Sequence, residues 1–308
     1  MIRKTILIGT CLAVMMLGAP VFSTDTGAAE IVIGKVSSNP KKHHRYLQPI
    51  ADYVAAQMAD VGITGAKVLM AKDNAQMVRY LQQGRIDWVT DTAFATVIYQ
   101  DAQVAEPLVR KWKKGVSEYH TVFVTRRNSD IRSLDDLAGR TIAFEDPGST
   151  SAFLVPYATL KEHGMLLTEL ISPREKAPAG KVGYVFSHEE INTSIWVHKG
   201  IVDAGAYSNL DWAALEQKSK SVGEGLVIIH ATPPMPRAIE SVRRDLDPRV
   251  KKRLRSILLK LHEDPDAEKI LLAYQKTTRF DEMTDEIRAG LDAARRLRQV
   301  VASTGPNG

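Results

Sequence analysis

The stretch Phe144-Glu145-Asp146-Pro147-Gly148-Ser149-Thr150-Ser151-Ala152-Phe153-Leu154-Val155-Pro156 reads as a strand ending at Phe144, a Pro-Gly turn and three hydroxyl residues opening a helix. The helix runs to His163 and stops at Gly164. This is a strand–loop–helix unit, and similar units lie on both sides of it. Upstream come a strand His120 to Thr125, a short helix capped by Ser133, and the strand Thr141 to Phe144. Downstream come Val182 to Phe186, a helix from Ile191 to His198 ending at Gly200, and Val202 to Ala206. An earlier series runs through a strand Glu30 to Val36, a helix to Gly62, and a strand Lys67 to Met70. It continues with a helix from Asn74 to Gln83, a strand Ile86 to Thr90, and a helix capped by Asp91-Thr92.

Strands alternating with helices of this length imply an α/β fold with mostly parallel sheets flanked by helices. Ligands on such sheets sit at the carboxyl ends of the strands. The loops Ser37 to Pro40, Ala71 to Asn74 and Thr90 to Thr92 then share one rim. The run Leu226 to Ile229 reads as a return strand, and Asp247 to Val301 as a mostly helical, charged cap. The expected division is residues 1–29 as an export signal, 30–119 plus 228–308 as lobe I, and 120–227 as lobe II.

The chain has 308 residues, 44% hydrophobic and 25% charged, which excludes wholly disordered and collagen-like classes. Its 41 Lys+Arg against 36 Asp+Glu give +5, too small an excess to argue for nucleic acid. Arg3 and Lys4 precede an apolar run from Thr5 to Ala19, and Gly27-Ala28-Ala29 supplies small residues for cleavage, the pattern of an export signal. As a membrane anchor the run is short of the ~20 residues a spanning helix needs. The one cysteine, Cys11, lies in that run. Lipidation there is the alternative, and would want a longer apolar stretch ahead of it. A chain starting at Glu30 is cysteine-free, without disulfides, thiolate metal sites or cysteine nucleophiles.

The free N–H groups of a helix's first turn, with hydroxyls beside them, make an anion cradle, so Ser149, Thr150 and Ser151 are candidate ligand residues; the plainer reading is an N-cap. Asp91 could accept a hydrogen bond from a protonated ligand or simply cap the helix after it. His43-His44-Arg45 reads as solvated, and His188-Glu189-Glu190 lacks the second histidine of a zinc helix. No metal or cofactor is expected. Gly148-Ser149-Thr150-Ser151-Ala152 is not a nucleophile elbow, and no Gly-Lys-Ser/Thr phosphate loop occurs. Tyr207 and Trp212 are the aromatic residues expected near a cleft.

The stretch Asp146 to Pro156 resembles the signature of phosphate/phosphite/phosphonate-binding proteins that serve ATP-driven importers. So do Ser129-Asp130-Ile131, Leu134 to Thr141, and Gly200 to Ala206. The resemblance covers Ile31 to Arg237. It implies an exported type II periplasmic binding protein: two α/β lobes, a two-stranded hinge, and a ligand clamped in the cleft between them. Where aminophosphonate binders of that family carry tyrosines, this chain has Asn74 and Asp91, and the acidic pair that meets an amino group is not visible. Their ligand histidine matches His188, or Glu190 in a second register, and Arg237 could grip an anion with two N–H bonds. Thr92 stands beside Asp91 on the same rim. The expected ligand is therefore a small oxyanion other than aminoethylphosphonate: orthophosphate, phosphite or a plain phosphonate. The expected molecule is a monomer that passes it to the membrane permease of an ABC transporter, or reports it to a sensor kinase. An enzyme on the same fold, using His188, Glu190 and Asp91, is the reading from another class.

Overall fold

The computed structural model describes residues 29–37 and 39–304. The expected export signal and Cys11 lie outside the described residues, apart from Ala29. No helix among the described residues is long and apolar enough to cross a membrane.

Among the described residues fourteen strands form two six-stranded sheets and one two-stranded ladder. In chain order they are β1 (Ala29–Val36), β2 (Ile63–Ala71), β3 (Trp88–Asp91), β4 (Ala105–Lys113), β5 (Glu118–Tyr119), β6 (Thr121–Arg126) and β7 (Thr141–Phe144). Then follow β8 (Leu166–Glu169), β9 (Lys181–Phe186), β10 (Ala204–Ser208), β11 (Leu226–Ala231), β12 (Met235–Pro236), β13 (Ile239–Arg243) and β14 (Thr277–Glu282). The first sheet has the order β14-β4-β13-β3-β1-β2, the second β11-β6-β10-β7-β9-β8. Each contains a parallel block, β3-β1-β2 and β10-β7-β9-β8, completed by antiparallel strands. Helices cover the sheets. Leu47, Ile50, Ala51 and Val54 of the helix Pro40–Ala55 are buried at helical spacing against the first sheet. Val155, Ala158 and Leu160 of the helix Val155–Glu162 are buried in the second half.

The chain crosses between sheets at β5 and β12, which pair antiparallel as Met235↔Tyr119 and Pro236↔Glu118. These two strands are the hinge. The return was expected at residue 228, yet β11 pairs wholly with β6 in the second sheet, Val227 opposite Thr125 and Ala231 opposite Val122. The strand that re-enters the first sheet is β13, inserted antiparallel between β3 and β4.

Three strands of the first sheet escape the sequence reading, β4, β13 and β14. In β4 the inward positions include Lys111, fully buried, so the alternation of apolar residues is broken where the sheet needs it. Lys111 is tolerated because its Nζ lies 3.1 Å from Glu240, also fully buried, which accepts hydrogen bonds from Trp88, Thr90 and Tyr274. The final helix, Asp285–Thr304, falls in the stretch assigned to lobe I and read as a cap, and it touches both lobes. Ile287, Leu291 and Ala294 pack with Ala93 and Val97 of the first lobe, while Leu297 and Val301 pack with Val155 of the second and Met235 of the hinge. At Gly290 a Cβ would stand 2.7 Å from Pro236, so only glycine lets this helix lie so close over the hinge.

Candidate functional site

A cleft of about 800 Å³ opens between the carboxyl ends of the two parallel blocks, where α/β sheets place their ligands. The loops after β1, β2 and β3 with the end of β4 form one wall, loops after β7, β9 and β10 the other, and Tyr119 and Arg237 of the hinge region line the cleft too.

The hydroxyl triplet stands on the second wall. Asp146 folds the loop back, its Oδ1 accepting the Gly148 N–H at 2.9 Å and its carbonyl accepting the Ser149 N–H at 2.9 Å. Ser149 is the cap, its Oγ accepting from Ala152 N–H at 3.3 Å. The helix opens as a π turn over Thr150–Leu154, wider than the α-helix the sequence suggests. Pro156 is the physical reason: it has no N–H for the Ala152 carbonyl, and its ring would clash with that carbonyl in an α turn. The freed carbonyl accepts the Glu145 N–H at 3.2 Å instead. The first N–H groups of the segment, on Thr150 and Ser151, have no acceptor in the helical ladder. The Thr150 hydroxyl reaches across the cleft to Thr92 Oγ1, 3.2 Å away, and also meets the Tyr119 phenol, which burial holds protonated, its pKa pushed up to about 12.

Charge divides the cleft. On the second wall Glu145, Asp146, Glu190 and Asp211 contribute carboxyls. Glu145 and Glu190 are hydrogen-bonded to each other, which requires a proton between them. Burial, then the neighbouring Glu145 charge, pushes Glu190 up to about 7, and burial likewise raises Glu145. The first wall is basic, with Lys35, Lys72, Lys113 and Lys114. Burial, reinforced by Lys111, Lys35 and Arg237, depresses Lys113 to about 7. His188, Lys114 and Gln275 line this cleft with left-handed backbone, at φ of 67°, 54° and 58°. Such conformations in non-glycine residues cost about 1–3 kcal/mol each and gather at functional loops.

Of the residues singled out from sequence, Thr92, Ser149, Thr150, Ser151, His188, Glu190 and Arg237 share this cleft. The two registers proposed for the ligand histidine are both occupied, by His188 and Glu190. Asn74, Asp91 and Tyr207 do not line it. Asp91 accepts from the buried Tyr99 phenol at Oδ2 and from the Thr92 N–H at Oδ1, both at 2.9 Å, so Thr92, not Asp91, caps the helix. Asn74 meets the same Tyr99 hydroxyl at 3.0 Å. Tyr207 is buried among Val122, Val124 and Leu215 in the second lobe, because its strand turns that face inward.

Several cleft residues escaped the sequence reading: Lys35, Lys113, Lys114 and His43 on the first wall, Glu145 and Asp211 on the second. Glu145 and Asp211 add carboxyls to the second wall. Glu145 immediately follows β7, and Lys35 is the penultimate residue of β1, so the rule that ligands sit at strand carboxyl ends would have found both. His43, expected to be solvated, meets Ser37 Oγ through Nδ1 at 2.5 Å.

Residues 36–287 match the model of a family described as ABC transporter, phosphonate, periplasmic substrate-binding protein. A solved protein of Xanthomonas citri, XAC2383, is 35% identical over 89% of this chain and 99% of its own, with a TM-score of 0.81; it has been seen bound to chloride. The same protein bound to ATP superposes equally well, at 35% identity and a TM-score of 0.81 over 90% of this chain and 99% of its own. PhnD1 of Prochlorococcus marinus in complex with methylphosphonate shares the fold, with a TM-score of 0.60 at 18% identity over 89% of this chain and 97% of its own. A phosphate-import protein of Mycolicibacterium smegmatis is 32% identical over 148 residues, 46% of this chain and 45% of that protein. The match thus spans less than half the length of that curated relative.

Proposed function

The chain belongs to the phosphonate family of periplasmic substrate-binding proteins of ABC transporters, and from that premise we propose that it is an exported receptor for a small phosphorus oxyanion. It closes its two lobes on the phosphoryl group and presents the loaded form to a membrane permease, with no bond made or broken. The observation that carries this reading is the cradle at Ser149 to Ser151, which opens onto a cleft between two hinged halves.

The chemistry favours phosphorus over sulfur. The N–H groups of Thr150 and Ser151 donate to anionic oxygens, and the Thr150 hydroxyl joins them. Glu145 and Glu190 stand on the same wall and accept hydrogen bonds. A protonated phosphate or phosphonate brings an O–H to meet them, whereas sulfate at neutral pH brings none. His188 and Arg237 supply further donors. The Xanthomonas citri protein bound to ATP favours a second reading, in which the phosphoryl group is carried on a larger phosphate ester.

A thermal-shift panel of orthophosphate, phosphite, methylphosphonate and sulfate on ligand-stripped protein tests the proposal. A concentration-dependent rise in Tm with a phosphorus oxyanion, and not with sulfate, is expected. No rise with any phosphorus compound at millimolar concentration would overturn the reading, as would product accumulating in phosphorus NMR.

A further inference from the structure

Four cations face the cleft without a carboxylate partner. Lys35 lies near the end of β1, Lys113 and Lys114 stand at the end of β4, and Arg237 follows β12. Among the described residues none of the four is within ion-pair distance of an acidic group, while Lys111, two positions before Lys113, is paired with Glu240. They crowd one another, and the loop holds Lys114 in place with a φ of 54° and its N–H on the Lys276 carbonyl at 2.9 Å. The carboxyls of the cleft lie on the opposite wall, beside the cradle.

One tetrahedral oxyanion does not answer this arrangement. It occupies a few times the ~30 Å³ share of a water molecule, a fraction of the 800 Å³ cleft. Seated on Thr150 and Ser151, it leaves most of the positive charge uncompensated. The two regions are continuous: Thr150 meets Tyr119, and the Arg237 guanidinium carbon lies 5.9 Å from the centre of the Tyr119 ring. The basic patch begins where the cradle ends.

We propose that Lys35, Lys113, Lys114 and Arg237 form a second anion subsite, and that the preferred ligand is a condensed phosphate, two or more phosphoryl groups in a chain, free or borne on a nucleoside. Its terminal group sits in the cradle and its remaining groups run along the basic wall. This rests on the reading of the cradle as a phosphoryl site. Binding replaces cation–cation repulsion with charge-assisted hydrogen bonds, and it is steeply weakened by salt because several charges are matched at once.

Calorimetry on the ligand-stripped full protein decides it, with orthophosphate, pyrophosphate, tripolyphosphate and ATP as titrants. Pyrophosphate or tripolyphosphate is expected to bind at least tenfold tighter than orthophosphate. In Lys113→Gln and Lys35→Gln that margin is expected to shrink below threefold, and in Lys113→Arg to persist. ATP as tight as tripolyphosphate assigns the chain to a nucleoside carrier; ATP tenfold weaker assigns it to free polyphosphate, and either supports the subsite. Orthophosphate binding as tightly as the condensed phosphates overturns the subsite while leaving the cradle standing, as does a margin that survives both glutamine variants. No binding by any of the four overturns the subsite and the cradle reading together.

Discussion

Replacing Thr150 by proline removes one N–H donor from the cradle at the position where the fold tolerates it best. Thr150 is the first residue of its helical segment, where proline's fixed φ is already suitable and its missing N–H has no place in the ladder. Ser149 before it sits at φ −74° and ψ 123°, inside the region a residue preceding proline prefers. The variant should therefore fold. A hydrogen bond to a charged group contributes about 1.5–3 kcal/mol, which is roughly a 10- to 150-fold loss in affinity for the phosphorus oxyanion. The substitution also deletes the hydroxyl that bridges to Thr92 at 3.2 Å. Thr150→Ala measures that loss alone, at about 0.5–1.5 kcal/mol for a neutral bond. Calorimetric titration of both variants with the best phosphorus ligand of the wild type gives the N–H contribution as their difference. Equal affinities for Thr150→Pro and Thr150→Ala, with Tm retained in both, would refute the claim that the amide grips the anion.

The remaining expectations concern stability. Folding raises the pKa of Glu190 to about 7, so its contribution is fully present below the ordinary carboxylate range and is lost as pH rises through about 7. Glu190→Gln should consequently raise Tm at pH 8 and change it little at pH 5; a gain confined to pH 5 would reverse the sign and refute it. Lys111→Met leaves Glu240 buried and unpaired at the centre of the first sheet, and chemical denaturation should register a loss of about 3–5 kcal/mol. Gly290→Ala drives a methyl to within 2.7 Å of Pro236, and overpacking of about 1–3 kcal/mol should outweigh the helix-propensity gain of about 1 kcal/mol. An unchanged or higher Tm would mean that the final helix does not lie tightly over the hinge.

The alternating strands and helices were legible because each strand of the parallel blocks is an apolar run and each helix carries its buried face at regular spacing. The two-lobed architecture followed from the resemblance around Asp146 to Pro156. What stayed hidden were elements whose sequence is disguised by tertiary pairing. β4 conceals a core position behind Lys111, and its identity depends on Glu240, 129 residues away by number. The final helix reads as an ordinary amphipath, and nothing local says that its apolar face spans both lobes. In the site, the cradle was legible as a turn followed by hydroxyls, but the division of the cleft into basic and acidic walls was not. Lys35, Lys113, Glu145 and Asp211 are ordinary surface types in sequence, and only the convergence of segments from both sheets gives them a common volume. Asp91 was misread for a related reason: its partner Tyr99 lies on the next helix, inside the lobe.

Backbone amide resonances of the ligand-stripped protein, followed through a titration with orthophosphate or methylphosphonate, address the cradle without any substitution. If these groups hold the anion, the N–H signals of Thr150 and Ser151 move downfield together and saturate with the same Kd as the calorimetric titration. Signals of those two residues that stay fixed while the ligand binds elsewhere in the cleft would contradict the account.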